Sequence, residues 1–307
     1  MSVRWCGALA LCLACLQCGS QTPAGPTPSV PAAPAPDPVP PPEPDPPLLP
    51  PPGPSDVLVG AGDIATCEPA SESTARLLDA IGGTVFTAGD NAYPQGAEAE
   101  YRLCYDPTWG RHRARTRPAP GNHEYETAGA APYFQYFGVN AGPPGLGYYS
   151  YEQGPWLVVS LNSNANIPAQ VTWLKNVLGA SRRRCTVAYW HHPLYSSGPN
   201  EKHAAVRDLW EVLYDFDAEI VISAHDHLYE RFAPQDSLGR LDPDRGIRAF
   251  VVGTGGARLN AAAGRAPNSE ALLTEFGVLK LTLGAEGYDW EFVSVSGSGD
   301  SGSGRCH

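Results

Sequence analysis

Thr84-Val85-Phe86-Thr87-Ala88-Gly89-Asp90-Asn91-Ala92-Tyr93 is the stretch on which the reading of this chain turns. Its first five residues are β-branched, aromatic or small, the make-up of a buried strand. The run then breaks at a glycine and delivers a carboxylate, with a phenol three residues later. A strand that ends this way presents a metal ligand at the rim of a sheet. Four more stretches end alike: Val57-Leu58-Val59-Gly60-Ala61-Gly62-Asp63, Pro120-Gly121-Asn122-His123-Glu124, Val187-Ala188-Tyr189-Trp190-His191-His192, and Ile220-Val221-Ile222-Ser223-Ala224-His225-Asp226-His227. The five ends are expected to meet around two metal ions.

The surrounding pattern alternates strand and helix. Ala75, Leu77, Leu78 and Ile81 recur at helical spacing between the first two strands, and Gly82-Gly83 stops that helix. A second helix is predicted over 96–104. The basic run 111–117 reads as a solvated face, or as the source of one arginine for a substrate anion. Residues 125–147, rich in Gly, Pro and aromatics, read as a long loop over the metal end of the sheet, where substrate would be selected. Strands are predicted at 148–151, 156–161, 185–190, 219–223, 247–253, 277–283 and 288–295, and helices at 168–178 and around Val206, Leu209, Trp210 and Leu213. Such an order implies an α/β fold with both faces of the sheet covered.

Composition narrows the function. The chain has 307 residues and a formal net charge of -11, which argues against nucleic acid as the main partner, because affinity for a phosphate backbone rests on excess Lys and Arg. A small phosphate ester held by metals is not excluded. Residues 8–16 form an apolar run too short to span a bilayer and suited to the core of an export signal, so 1–20 are assigned to a signal. Cys18 or Cys15, followed by a low-complexity tract, resembles the acylated cysteine of bacterial lipoproteins, which gives an expected location at the cell envelope or outside the cell. Residues 21–55 read as an extended proline-rich spacer, since 17 of the chain's 32 prolines fall in 22–54. The folded unit is then 56–295, with a flexible Gly/Ser tail at 296–307. Four cysteines remain in the body; Cys67 with Cys104 and Cys185 with Cys306 is the favoured of three pairings.

The donors define a chemistry. Asp63, Asp90 and Asn122 offer hard oxygens, while His191, His225 and His227 offer borderline nitrogens suited to Zn, Fe or Mn, a mixture wrong for a calcium cage. Each alone is weak: a Gly-Asp after a strand often only opens a turn, and a lone His is more often a core or surface residue. Two histidines one residue apart, as in His225-Asp226-His227, point the same way along extended chain. The ordered set, each at an apolar strand end, carries the metal reading.

Gly62-Asp63, Gly89-Asp90-Asn91-Ala92-Tyr93, Gly121-Asn122-His123-Glu124, His191-His192-Pro193 and Ala224-His225-Asp226-His227-Leu228-Tyr229-Glu230-Arg231 resemble the calcineurin-like metallophosphoesterase superfamily. Tyr93 and the Tyr229-Glu230-Arg231 run make the likeness closest to purple acid phosphatases. Ala65 and Ala224 stand where glycines are usual. The resemblance implies a four-layer αββα sandwich of two mixed β-sheets flanked by helices. It implies one metal on Asp63, Tyr93 and His227, the other on Asn122, His191 and His225, and Asp90 between them. The first would be ferric iron bound by the phenolate, the second Fe, Zn or Mn. Phosphate monoesters would be hydrolysed by a metal-bound hydroxide, with His123 assisting the leaving group. His191 is selected over His192 because the family's ligand stands one residue before the proline; strand alternation would then turn His192 away. His203 and Glu124 are expected near the substrate, Glu124 either orienting His123 or forming a surface salt bridge. Related readings are a phosphodiesterase or nucleotidase with the same metals, and a non-catalytic surface-tethered binding protein.

Overall fold

The computed structural model describes residues 56–200 and 202–307, so the expected export signal and proline-rich spacer lie outside the described residues. The chain first lays down three parallel strands, β1 (Val57–Ala61), β2 (Thr84–Ala88) and β3 (Thr116–Ala119). All five residues of β2 are buried. That is the expected consequence of a strand inside a sheet with both faces covered, and it explains why the segment reads as continuously β-branched, aromatic or small rather than alternating with charged residues. The connecting helix, Pro69–Ala80, has proline in its first turn where no N–H partner is needed.

The chain then builds a second sheet from β4 (Tyr149–Gln153), β5 (Trp156–Ser160), β6 (Cys185–Tyr189), β7 (Ile220–Ser223), β8 (Tyr229–Phe232), β9 (Arg248–Val252) and β10 (Ser269–Leu273). It returns to the first sheet with β11 (Gly277–Leu283), β12 (Gly287–Ser294) and β13 (Gly299–Arg305). The orders are β13-β12-β11-β1-β2-β3 and β10-β8-β9-β7-β6-β5-β4, and both sheets are mixed. Inner faces meet through aromatic pairs: Phe86 lies 5.7 Å from Tyr189, and Tyr229 stacks on Phe292 at 4.1 Å between ring centres. Helices Ile167–Ala180 and Arg207–Asp215 bury Leu174, Leu178, Leu209, Trp210 and Leu213 against the outer face of the second sheet. The two mixed sheets with flanking helices are the α/β architecture read from the sequence.

The parallel strands β1, β2, β5, β6 and β7 end toward the same rim, and this is what gathers the donors. Disulfides Cys67–Cys104 and Cys185–Cys306, with Cα separations of 4.5 and 5.5 Å, match the favoured pairing.

Three expectations change. The 296–307 tail is not flexible along its length: 299–305 form the edge strand β13, paired with β12 through seven residues. Glycine and serine have low strand preference, so nothing local signals it. Tertiary partners fix it instead. A Cβ on Gly302 would sit 2.2 Å from the Trp290 ring, and Asp300 accepts from Tyr229 Oη and Arg231 Nε, both at 2.7 Å. The 125–147 segment contains the helix Ala131–Phe137, whose Tyr133 and Phe137 are buried. The basic run 111–117 is a solvated face only in part: Arg111 and Arg113 are exposed, Arg111 pairing with Glu72 and Asp79, whereas Arg115 donates to the carbonyls of Leu78 and Gly83 and Arg117 is buried against Asn140.

Glu219 links the end of the chain to the second sheet, accepting from the His307 amide at 3.2 Å and from the Thr186 amide at 2.5 Å. Burial pushes its carboxyl from 4.5 up to about 7, against the pull of those amides. The native state therefore keeps a proton that the unfolded chain releases near 4.5. Stability from this group is complete below that pH and is lost as pH rises through about 7. Glu219→Gln should flatten that part of the stability profile, measured by urea denaturation at pH 5 and pH 7.

Candidate metal centre

Three of the expected residues leave their strands in a backbone conformation that L-residues seldom adopt. Asp63, Asp90 and His225 have φ of 58°, 50° and 68°. Such strain persists only where neighbouring bonds over-determine it. Here the three turns hold one another: Asp63 N donates to Gly89 O at 3.1 Å, Ile64 N to Asp90 O at 2.9 Å, and His225 N to the Asp63 carboxylate at 2.8 Å. The adjoining turn comes equally close. A Cβ on Gly121 would lie 2.1 Å from Asp90 Oδ1, so only glycine lets Asn122 reach the site.

Asp63, Asp90, Tyr93, Asn122, His191, His225 and His227 come together. Tyr93 Oη lies 2.7 Å from Asp63 Oδ1, 3.1 Å from Asp90 Oδ2 and 3.3 Å from His227 Nε2. His191 Nε2 lies 3.1 Å from the same Asp90 Oδ2, 3.0 Å from Asn122 Oδ1 and 3.2 Å from His225 Nδ1. Asp90 thus faces two groups of donors at once. Outer partners set the rings. His191 Nδ1 is 2.9 Å from Ala88 O, and His227 Nδ1 is 2.7 Å from Arg258 O. A ring whose Nδ1–H donates to a carbonyl turns the Nε2 lone pair to the centre, the arrangement of a metal-binding imidazole. In a neutral ring held this way the lone pair of His191 Nε2 faces Asn122 Oδ1 and Asp90 Oδ2, so either a proton or a cation has to lie among them. Cations resolve that crowding of acceptors, so the donor set fits metal.

Electrostatics agree with the geometry. Asp63 and Asp90 are essentially without solvent exposure. Burial alone would raise both carboxyls; the charge and hydrogen bond of His227 on Asp63, and of His191 on Asp90, hold them below the usual carboxylate range. Against the same burial, these carboxylates push His191 and His227 up to about 9. Burial, followed by Asp63 and Asp90, drives the Tyr93 phenol well above 10.0. Burial and then His191 take His225 down to about 4.

The remaining expected residues fall at different depths. His123 stands at the edge, its amide 2.9 Å from Asp90 Oδ1, its ring 4.4 Å from that of Tyr93 and its Nδ1 2.5 Å from Pro94 O. Glu124 neither orients that imidazole nor forms a surface salt bridge. It is fully buried and accepts from the amides of Asn91 at 2.9 Å, Ala92 at 3.3 Å and Gly121 at 2.7 Å, and from Tyr101 Oη at 3.1 Å. It therefore ties the loop carrying Asp90 to the turn carrying Asn122. Burial, then the charge of Asp90, raises its carboxyl to about 7.

His192 is not turned away: its ring lies 4.5 Å from His225 and 5.2 Å from His203, which brings His203 to the margin of the centre. Alternation fails because β6 ends at Tyr189, two residues before the histidine pair. Ser163 Oγ, 2.9 Å from His192 Nδ1, holds the ring. Neither Ser163 nor Glu124's clamp was visible in the sequence. The only signal for His192 was its place next to His191.

The calcineurin-like phosphoesterase family matches residues 46–229. The chain belongs to that family. Two Arabidopsis thaliana proteins, purple acid phosphatase 23 and purple acid phosphatase 15, are each 31% identical over 176 and 172 residues, in both cases 49% of this chain. The chain spans 38% and 32% of their lengths. Among solved structures, purple acid phosphatase PPD1 from yellow lupin (Lupinus luteus) seeds superposes with a TM-score of 0.66 at 20% identity, covering 82% of this chain and 54% of that one. GAP50, the anchor in the inner membrane complex of Plasmodium, gives 0.63 at 14% identity, covering 82% and 88%. Both share the fold. Within the phosphoesterase family the chain is purple acid phosphatase-like.

Glu124→Gln would set an amino group against amide donors that now meet carboxylate oxygens. The expected loss is about 1–3 kcal/mol of stability, read from urea denaturation at neutral pH.

Proposed function

We propose that this chain is an exported dinuclear-metal phosphoesterase acting on small phosphate monoesters. The observation that carries the reading is the position of Asp90 Oδ2, 3.1 Å both from Tyr93 Oη and from His191 Nε2. One metal is assigned to Asp63, Tyr93 and His227, the other to Asn122, His191 and His225, with Asp90 shared. Tyr93 favours ferric iron in the first position, because two carboxylates and burial oppose ionisation of its phenol and a strongly Lewis-acidic ion offsets them; Fe, Zn or Mn suits the second. Bound there, such ions lower the pKa of a water and neutralise charge gathering on the phosphoryl oxygens. The protein's own groups do the rest. Pro94 O and the Tyr93 ring hold His123 at the mouth, where the imidazole can give a proton to the departing oxygen. His203 and His192 line the side of the His225 position and are assigned to the phosphoryl group. The disulfides support an oxidising location outside the cytoplasm. Lipid attachment through Cys18 or Cys15 completes the reading.

The direct test compares p-nitrophenyl phosphate with bis(p-nitrophenyl) phosphate. The monoester should turn over faster; turnover of the diester alone would favour a phosphodiesterase, and turnover of neither would favour a binding protein. His123→Ala should lower kcat about 100-fold or more. Purified protein should contain iron and show a broad visible band that Tyr93→Phe abolishes. A colourless, iron-free, active enzyme would remove the ferric assignment.

A further inference from the structure

Between Pro193 and helix Arg207–Asp215 the chain passes the centre and carries His203 to it. Two fully buried carboxylates hold this passage. Glu230, on β8, accepts from the Ser197 amide at 2.7 Å and its hydroxyl at 2.5 Å. Asp226, set between His225 and His227, accepts from the Asn200 amide at 2.9 Å and from Lys202 Nζ at 2.8 Å. Asn200 Nδ2 donates in turn to His225 O at 2.5 Å.

Lys202 is committed to this structure. Besides Asp226, its ammonium donates to Gly198 O at 2.8 Å and Asn200 O at 2.5 Å. Three acceptors use all three of its protons, so none remains for a substrate. A buried carboxylate paired with one half-buried lysine adds little stability over an apolar pair. It does fix position. The residue after Lys202 is His203, whose ring stands next to His192.

We propose that the Lys202–Asp226 ion pair is a positioning device that holds the His203 imidazole against the His225 side of the centre and so sets the affinity for the phosphoryl group. This rests on the reading of the centre as a phosphate-ester site. Asp226 thereby gains a role distinct from that of its neighbours: His225 and His227 face the centre, while Asp226 faces the segment that delivers His203.

The test is a double-mutant cycle on the metal-loaded full chain, reading the dissociation constant of inorganic phosphate by calorimetry. Lys202→Met and His203→Ala should each weaken phosphate about tenfold, the loss of one hydrogen bond to a charged group. The double variant should be no weaker than the poorer single one, because Lys202 acts through His203. Loss of the lysine charge alone would act on either background, and the two effects would multiply. Multiplication, an unchanged constant in either single variant, or a wild type that binds no phosphate would overturn the proposal. If Lys202→Met does not fold, Lys202→Gln serves the same cycle. Because binding is read, a protein that holds phosphate but hydrolyses no ester would contradict the proposed catalysis while the cycle still decides this point.

Discussion

Asp63 and Asp90 place two carboxylates out of water at the ends of adjacent parallel strands, with ligand atoms within 4.8 Å of each other and of His191. Bringing like charges together in a poorly solvated place is costly, and it persists only where surrounding groups compensate. The compensation is visible in every direction: imidazoles of His191 and His227, backbone amides of His123 and His225, and the Tyr93 hydroxyl. Left-handed turns at Asp63, Asp90 and His225 are the backbone's part of the same arrangement. A pair of cations would satisfy these groups more completely than protons do, and this constraint gives the ordered strand ends their meaning.

Much of this was legible because parallel strands leave strong local marks. The buried runs 57–61, 84–88, 185–189 and 220–223 each end in the donors that meet at the rim, and sequence order alone placed Asp63, Asp90, Asn122, His225 and His227 in one cluster. Glycines in the motifs were equally informative, since Gly121 sits where a side chain would collide with Asp90. The aromatic at 93 needed the fold to be judged, and its oxygen reaches both aspartates.

What escaped was fixed by distant partners. Strand β13 is mostly Gly and Ser, held by Trp290, by Tyr229 and Arg231 through Asp300, and by the Cys185–Cys306 bridge, none near it in local pattern. Glu124 looked like an adjunct of its neighbour His123, whereas helix geometry turns it inward to three amides. His192 escaped because alternation was extended beyond the last strand residue. Within the run 111–117 the solvated reading fails only for Arg115 and Arg117, whose carbonyl and Asn140 partners lie elsewhere in the chain.

The account stands on Asp90 serving two positions at once. Anomalous diffraction from crystals of the purified protein tests this most directly. It predicts two transition-metal peaks on opposite sides of the Asp90 carboxylate, one beside Tyr93 and one beside His191. A single peak, or two peaks that Asp90 does not touch, would contradict it.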